Sequence, residues 1–128
     1  MRVLVVEDDG DANALMSSFL RSEGYDVESR YNGFSALEAL PVFKPDIIVL
    51  DLDMPGMDGY EYTSRARLPP HSYRGRAVLV SADGEARARY ADFDACFDAY
   101  LVKPVDWEHM SDIMRSFCRM EAADARIG

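Results

Sequence analysis

The sequence has few of the features that mark membrane, secreted or metal-thiolate proteins. It contains two cysteines, Cys96 and Cys118, and neither belongs to a CxxC motif or to paired histidine spacing, which argues against a disulfide framework or a thiolate site. No apolar run approaches the ~18 residues that a membrane helix needs. The N-terminal apolar stretch reaches acidic residues after six positions, too soon for a signal peptide. We therefore expect a cytoplasmic protein with no membrane contact.

Positive charge is also scarce. There are 14 basic and 23 acidic residues, for a net charge of −9, which argues against nucleic acid as a direct partner and favours a cation. Only two of the basic residues are lysines, Lys44 and Lys103, so a lysine in a motif is notable. The length of 128 residues is that of one ordinary domain.

Short apolar runs alternate with segments of helical periodicity. The runs of strand length are residues 3–6, 25–27, 47–50, 77–80 and 100–102, and the helical segments are residues 11–23, 33–40, 58–67, 84–96 and 107–120. Three runs are almost continuous in Val, Ile and Leu, as in a parallel sheet covered on both faces. The pattern predicts a single α/β domain over residues 1–120, a doubly wound five-stranded parallel (βα)5 sheet with helices on both faces. Residues 121–128 are predicted to be a frayed C-terminal tail.

Polar residues directly follow four of the predicted strands: Glu7, Asp8 and Asp9 after the first, Asp51 and Asp53 after the third, Ser81 after the fourth and Lys103 after the fifth. Ligand sites in open α/β sheets lie at this carboxyl edge. Any one of these residues alone would be explained as a helix cap or a turn residue. Together they place several carboxylates close to one another, which costs free energy unless a cation neutralises them. Oxygen ligands of this kind suit Mg²⁺.

The segments that carry these residues are VLVVEDD, LRSEGYDV, NGFSALEAL, KPDIIVLDLDMPGMDGYE, VLVSADG and FDAYLVKPVD. In order and in spacing they resemble the receiver domain of two-component response regulators over essentially the whole chain. The spacings are 43 residues from Asp8 to Asp51, 30 from Asp51 to Ser81 and 52 from Asp51 to Lys103. The resemblance implies the flavodoxin-like strand order 2-1-3-4-5.

The resemblance also implies a mechanism. Asp51 would be the phosphoacceptor, whose carboxylate attacks the phosphohistidine of a partner. Mg²⁺, or Mn²⁺ in its place, would be held by Asp8, Asp51, the backbone carbonyl of Asp53, and Glu7 through bound water. Other residues would bind the phosphoryl group or respond to it: Ser81 and Lys103 as phosphoryl-binding groups, Tyr100 as the switch aromatic, Asp53 and Asp83 as residues that tune autodephosphorylation, and Pro104 after a cis peptide bond.

The implied partners are a histidine kinase, a histidine phosphotransfer protein or both, docked on the first helix (residues 11–23). A downstream protein would bind the face formed by the fourth helix, fifth strand and fifth helix, with the chain a monomer or a phosphorylation-dependent dimer. Such a chain is a signalling switch, with no enzymatic activity beyond its own phosphorylation and dephosphorylation.

Three alternatives remain open. Met1 falls at the first strand, which favours a stand-alone protein, but the LVKPVD and MPGMDGYE segments also resemble receivers of hybrid histidine kinases. A phosphorylation-independent scaffold with the same fold is a second alternative. A phosphohydrolase of the haloacid dehalogenase type is the third, although here the DxD motif falls on the third strand instead of near the chain start.

Overall fold

The computed structural model describes the backbone of residues 1–127 and the side chains of residues 1–121. Strands and helices alternate along the chain. They are β1 (Arg2–Val6), α1 (Gly10–Ser22), β2 (Asp26–Arg30), α2 (Gly33–Phe43), β3 (Ile47–Asp51), α3 (Gly59–Arg67), β4 (Arg76–Ser81), α4 (Ala86–Arg89), α5 (Phe93–Cys96), β5 (Ala99–Val102) and α6 (Trp107–Ile127).

The five strands form one sheet in the order β2-β1-β3-β4-β5, and every neighbouring pair is parallel. Alternate residues of the central strands enter two separate cores. In β3, Ile48 and Leu50 pack into one core, and Ile47 and Val49 pack into the other. Side chains on both faces of the strand are therefore buried. The predicted fold class and strand order are confirmed.

Helix α1 is fixed at both ends. The Asp9 side chain accepts a hydrogen bond from the backbone N–H of Ala12 as an N-cap, and Gly24 follows the helix with a φ of +97°, a left-handed conformation that glycine adopts without strain. The apolar periodicity of residues 11–23 predicts a buried stripe that includes Leu15, Phe19 and Leu20, but Leu15 is 60% exposed. The buried face of α1 consists instead of Asn13, Met16, Ser17 and Leu20.

One predicted helix is wrong. Residues 84–96 form two four-residue helices, α4 and α5, separated at residues 90–92. Tyr60 of α3 accounts for the interruption, because its ring stacks on Tyr90 with centroids 4.1 Å apart and its hydroxyl donates to Asp92 at 2.5 Å. These contacts from another element hold both residues outside helical geometry.

The last helix is longer than predicted. It continues from Trp107 to Ile127, past the expected end at residue 120, so the segment expected to be frayed is helical as far as Ile127. Glu, Ala and Arg, which dominate that segment, are strong helix formers.

Cys96 and Cys118 are both free. Within the described residues, no helix combines the length and the apolar character needed to cross a membrane.

Candidate functional site

Three carboxylates meet at the carboxyl edge of the sheet. Glu7 directly follows β1 and Asp51 ends β3, and these neighbouring strands pair in register at Val6 and Leu50. Side-chain oxygens of Glu7, Asp8 and Asp51 all lie within 4.8 Å of one another. Glu7 and Asp51 are each only 7% exposed, whereas Asp8 is open to solvent. The convergence expected from the strand ends is present.

Lys103 supplies positive charge to this cluster from the loop after β5. Its Nζ lies 3.0 Å from Glu7 Oε1 and 3.4 Å from Asp51 Oδ2. Its backbone N–H donates to the carbonyl oxygen of Ser81 at 2.8 Å, and the peptide bond to Pro104 is cis. A single ammonium group thus bridges carboxylates from two strands.

Burial and the nearby charges change the protonation of these groups. The pKa of Glu7 is raised to about 7, chiefly by burial; the neighbouring Asp51 also raises it, and Lys103 lowers it. Partial burial lowers the pKa of Lys103, but the contacts with Glu7 and Asp51 outweigh it, so the pKa of Lys103 is raised overall. The positive charge of Lys103 is thus stabilised, whereas the negative charge of Glu7 is only partly compensated.

The site fits a hard divalent cation. Glu7 Oε2 is buried and has no hydrogen-bond partner among the side chains described, which is costly for an ionised carboxylate. A cation held between Glu7, Asp8 and Asp51 would satisfy that oxygen and relieve the repulsion. Carboxylate oxygens are the ligands that Mg²⁺ prefers, usually together with retained water.

The loop between β3 and α3 brings the backbone close to Asp51. A Cβ atom at position 59 would overlap the carbonyl oxygen of Asp51, so only glycine allows α3 to begin there. Gly56, at a φ of +83°, makes the turn before it. The backbone N–H of Asp53 donates to Asp51 Oδ1 at 3.4 Å, while the Asp53 side chain is exposed.

Ser81 lies fully buried at the carboxyl end of β4. Its Oγ accepts a hydrogen bond from the backbone N–H of Asp83 at 3.1 Å. The Asp83 carboxylate accepts from the backbone N–H of Glu85 at 2.9 Å and forms an ion pair with Arg89. The turn after β4 therefore has a fixed shape and a direct link to α4.

Tyr100 of β5 packs edge-on against Phe93 of α5, with ring centroids 5.7 Å apart. The hydroxyl oxygen of Tyr100 is buried and lacks a hydrogen-bond partner among the described side chains. Two residues along the strand, Val102 is 45% exposed. The aromatic expected to be the switch thus lies between the sheet and the interrupted helix.

Two residues next to the site were not found from the sequence. Asn13 is fully buried in α1, and its amide donates to the carbonyl oxygens of Glu7 at 3.1 Å and Arg30 at 3.0 Å, which links α1 to the ends of β1 and β2. The sequence could have indicated this role, because an asparagine on the buried face of a helix needs hydrogen-bond partners.

Arg89 is the other residue. Its pairing with Asp83 could not be predicted from the sequence, because residues 84–96 were predicted to form one longer helix.

A parallel doubly wound sheet with carboxylates, a serine and a lysine at its carboxyl edge agrees with the receiver resemblance of the sequence. A sequence model of the family described as the response regulator receiver domain matches residues 3–115. The chain belongs to this family, which consists of the receiver domains of two-component response regulators. This membership decides against the phosphohydrolase alternative.

The relatives include proteins about twice as long as this chain. The chain is 31% identical to the DNA-binding dual master transcriptional regulator RpaA of Synechocystis over 118 residues. This aligned region covers 92% of the chain and 49% of RpaA. It is 32% identical to the transcriptional regulatory protein TcrA of Mycobacterium tuberculosis, with 99% of the chain and 53% of TcrA covered. The chain therefore spans about half the length of these relatives. A 14.6 kDa protein from Leptolyngbya boryana is 34% identical, with 98% of the chain and 95% of that protein covered.

Solved structures share the fold. The CheY-like response regulator receiver domain from Methylobacillus flagellatus superimposes with a TM-score of 0.81 at 25% identity, covering 91% of this chain and 98% of that one. The response regulator TrrA from Thermotoga maritima, solved in complex with Mg²⁺–BeF, gives a TM-score of 0.79 at 26% identity, covering 91% and 97%.

Proposed function

We propose that this chain accepts a phosphoryl group on Asp51 from a phosphohistidine of a histidine kinase or histidine phosphotransfer protein. A carboxylate oxygen of Asp51 attacks the phosphorus, the bond between phosphorus and the imidazole nitrogen breaks, and the nitrogen leaves with the electron pair. The observation that carries the proposal is the position of Asp51, buried beside two other carboxylates and 3.4 Å from the Lys103 ammonium. The acyl phosphate then changes the contacts that the chain makes with other proteins.

Asp8 and Asp51, the backbone carbonyl of Asp53, and Glu7 through water would hold Mg²⁺, with Mn²⁺ as the alternative ion. Bound Mg²⁺ neutralises charge on a phosphoryl group during transfer. The unpartnered Glu7 oxygen supports this assignment, and so does the Mg²⁺–BeF complex of the Thermotoga maritima relative.

Lys103 and Ser81 would bind the phosphoryl oxygens. A serine hydroxyl donates one hydrogen bond and accepts others, and the Asp83 N–H already occupies an acceptor position on Ser81 Oγ. The hydroxyl hydrogen remains free to be donated to the phosphoryl group. Tyr100 would be the switch aromatic, which changes position when Ser81 binds the phosphoryl group. Asp53 and Asp83 would tune autodephosphorylation.

A groove beside Asp51 suits the phosphodonor. This cavity of about 620 Å³ is lined by α1, the carboxyl ends of the central strands and the loop after β5. Leu15, Val105 and Trp107 line it, and Leu15 is 60% exposed. Apolar side chains next to the acceptor favour docking of a partner helix that presents phosphohistidine.

The downstream protein would bind the face formed by α4, α5, β5 and α6, with nucleic acid not a direct partner of this acidic chain. The chain would act in the cytoplasm as a monomer or as a phosphorylation-dependent dimer. The stand-alone role is also a prediction, supported by the match over 95% of the 14.6 kDa protein from Leptolyngbya boryana. The alternative, a receiver within a larger protein such as a hybrid kinase, is supported by the two-fold longer relatives.

Intact mass after incubation with acetyl phosphate, with and without Mg²⁺, tests the phosphoacceptor. We expect a single-phosphate adduct on the wild type only with Mg²⁺, and none on Asp51→Ala. Asp58→Asn is the matched control, because asparagine also caps helices and Asp58 caps α3 through the Glu61 N–H. This control should be phosphorylated like the wild type.

A rapid autophosphatase would also show no adduct, so a beryllofluoride titration accompanies the mass measurement. Binding of beryllofluoride without an accumulating adduct would support the acceptor role with rapid dephosphorylation. Failure of both would overturn the proposal and favour the phosphorylation-independent scaffold.

A further inference from the structure

One ion pair connects the turn after β4 with α4. Arg89, the last residue of α4, pairs through Nη2 with Asp83 Oδ2. Asp83 is two residues beyond Ser81, and its N–H donates to Ser81 Oγ at 3.1 Å. Its other carboxylate oxygen accepts from the Glu85 N–H at 2.9 Å. The hydroxyl proposed to bind the phosphoryl group is therefore linked to Arg89 through a single residue.

Asp83 places a negative charge on the turn that must receive an anionic group. Like charges at a shared site repel unless a cation compensates one of them. Arg89 is the ion-pair partner of Asp83 among the described side chains, while Lys103 is engaged by Glu7 and Asp51. Compensation of Asp83 thus depends on Arg89.

We propose that Arg89 is a positioning residue for the phosphoacceptor site and that it acts through Asp83. The guanidinium neutralises the Asp83 carboxylate and holds it away from the incoming phosphoryl group. It also keeps the Asp83 N–H aligned on Ser81 Oγ, which leaves the serine hydroxyl free to donate. This inference rests on the proposed phosphoacceptor function.

The same helix offers a matched control. Arg87 lies two residues before Arg89 and pairs with Asp94 of α5 at 2.7 Å. Its guanidinium carbon lies 5.9 Å from the ring centroid of Phe93. The two arginine side chains are similarly exposed, at 64% and 53%. They differ in that only the Arg89 pair reaches the Ser81 turn.

The test is beryllofluoride affinity at saturating Mg²⁺ for the wild type, Arg89→Gln, Arg89→Lys and Arg87→Gln. We expect Arg89→Gln to bind about three- to fivefold more weakly, in line with exposed ion pairs. Arg87→Gln should match the wild type, and Arg89→Lys should recover part of the loss. The deficit should shrink in ~1 M salt, where charges are screened within ~3 Å, whereas a packing defect would persist.

A double-mutant cycle with Asp83→Asn identifies the route. In that background Arg89→Gln should change the affinity by less than about 1.5-fold, because no carboxylate needs compensation. An equal loss in both backgrounds, or the same loss in Arg87→Gln, would overturn the inference while leaving the phosphoacceptor function intact. Wild-type protein that fails to bind beryllofluoride would instead overturn the proposed function, and this inference with it.

Discussion

Helix α1 and the pair of helices α4 and α5 are stabilised in different ways. Helix α1 has 13 residues, a side-chain N-cap and a buried face, and Asn13 joins it to the backbone directly after β1. Helices α4 and α5 have four residues each and no side-chain cap hydrogen bond. Ala86 of α4 and Phe93 and Cys96 of α5 are buried, and an exposed ion pair between Arg87 and Asp94 joins the two helices. The carboxylates lie at the ends of β1 and β3, whereas the two short helices belong to the proposed output face.

This difference suits a switch. Exposed ion pairs contribute about 0–1 kcal/mol each, whereas truncating a buried leucine costs about 2–5 kcal/mol. Binding of one phosphoryl group can therefore shift the populations of arrangements around α4 and α5 without disturbing the strands that hold the carboxylates. Three measurements would sharpen or break this contrast.

The largest expected effect is on global stability. Leu20 of α1 is fully buried, whereas Arg87 of α4 forms an exposed ion pair with Asp94 of α5. Leu20→Ala should lower the free energy of unfolding by about 2–5 kcal/mol, and Arg87→Ala should lower it by less than about 1 kcal/mol. Chemical denaturation of both variants measures the difference. Equal losses would mean that the two regions do not differ in the way described.

An intermediate effect is expected on Mg²⁺ affinity as the pH changes. The pKa of Glu7 is raised from 4.5 to about 7. In the metal-free protein, Glu7 therefore contributes stability that is full below pH 4.5 and is lost as the pH rises through about 7. Mg²⁺ competes with the bound proton, so its Kd should be about tenfold higher at pH 6 than at pH 8. Calorimetric titration at the two pH values measures the ratio.

Glu7→Gln is the control for this pH dependence. It keeps the shape of the side chain but removes its titration and its negative charge. We expect weaker Mg²⁺ binding at both pH values and little dependence on pH between them. A wild-type Kd that is the same at pH 6 and pH 8 would contradict the assignment of the raised pKa to Glu7.

The smallest expected effect concerns the interruption between α4 and α5. Tyr60→Phe removes the hydrogen bond to Asp92 and keeps the ring that stacks on Tyr90. Backbone amides of residues 90–97 should exchange with solvent faster, while the thermal midpoint stays unchanged. Hydrogen exchange measures this, with Tyr31→Phe at an exposed position as the control. Unaltered exchange would show that the stacked rings alone hold the interruption.

The sheet was predictable because its determinants are local. Runs such as Ile47–Asp51 are apolar throughout, since both faces of the strand are covered, and polar residues follow them directly. The interruption of the fourth predicted helix was not predictable, because it depends on Tyr60, 30 residues before Tyr90. Leu15 was misplaced because α1 buries Asn13 and Ser17 in a hydrogen-bonded network, which hydrophobic periodicity does not detect.

The site also has parts that were predictable from the sequence and parts that were not. The proximity of Glu7, Asp51 and Lys103 was predictable, because each follows or ends a strand and a parallel sheet brings all its carboxyl ends to one edge. The unpartnered Glu7 oxygen depends on side-chain packing, which the sequence does not specify residue by residue. The pairing of Arg89 with Asp83 depends on where α4 ends, which the incorrect helix prediction concealed.

The packing of Trp107 has a practical consequence. It is the only tryptophan in the chain, its ring lies 4.8 Å from that of Phe19, and it lines the same groove as Asp51. Indole emission responds to the polarity and mobility of its surroundings, so the chain carries a native fluorophore beside the acceptor. Occupancy of the groove can be followed by intrinsic fluorescence on unlabelled protein.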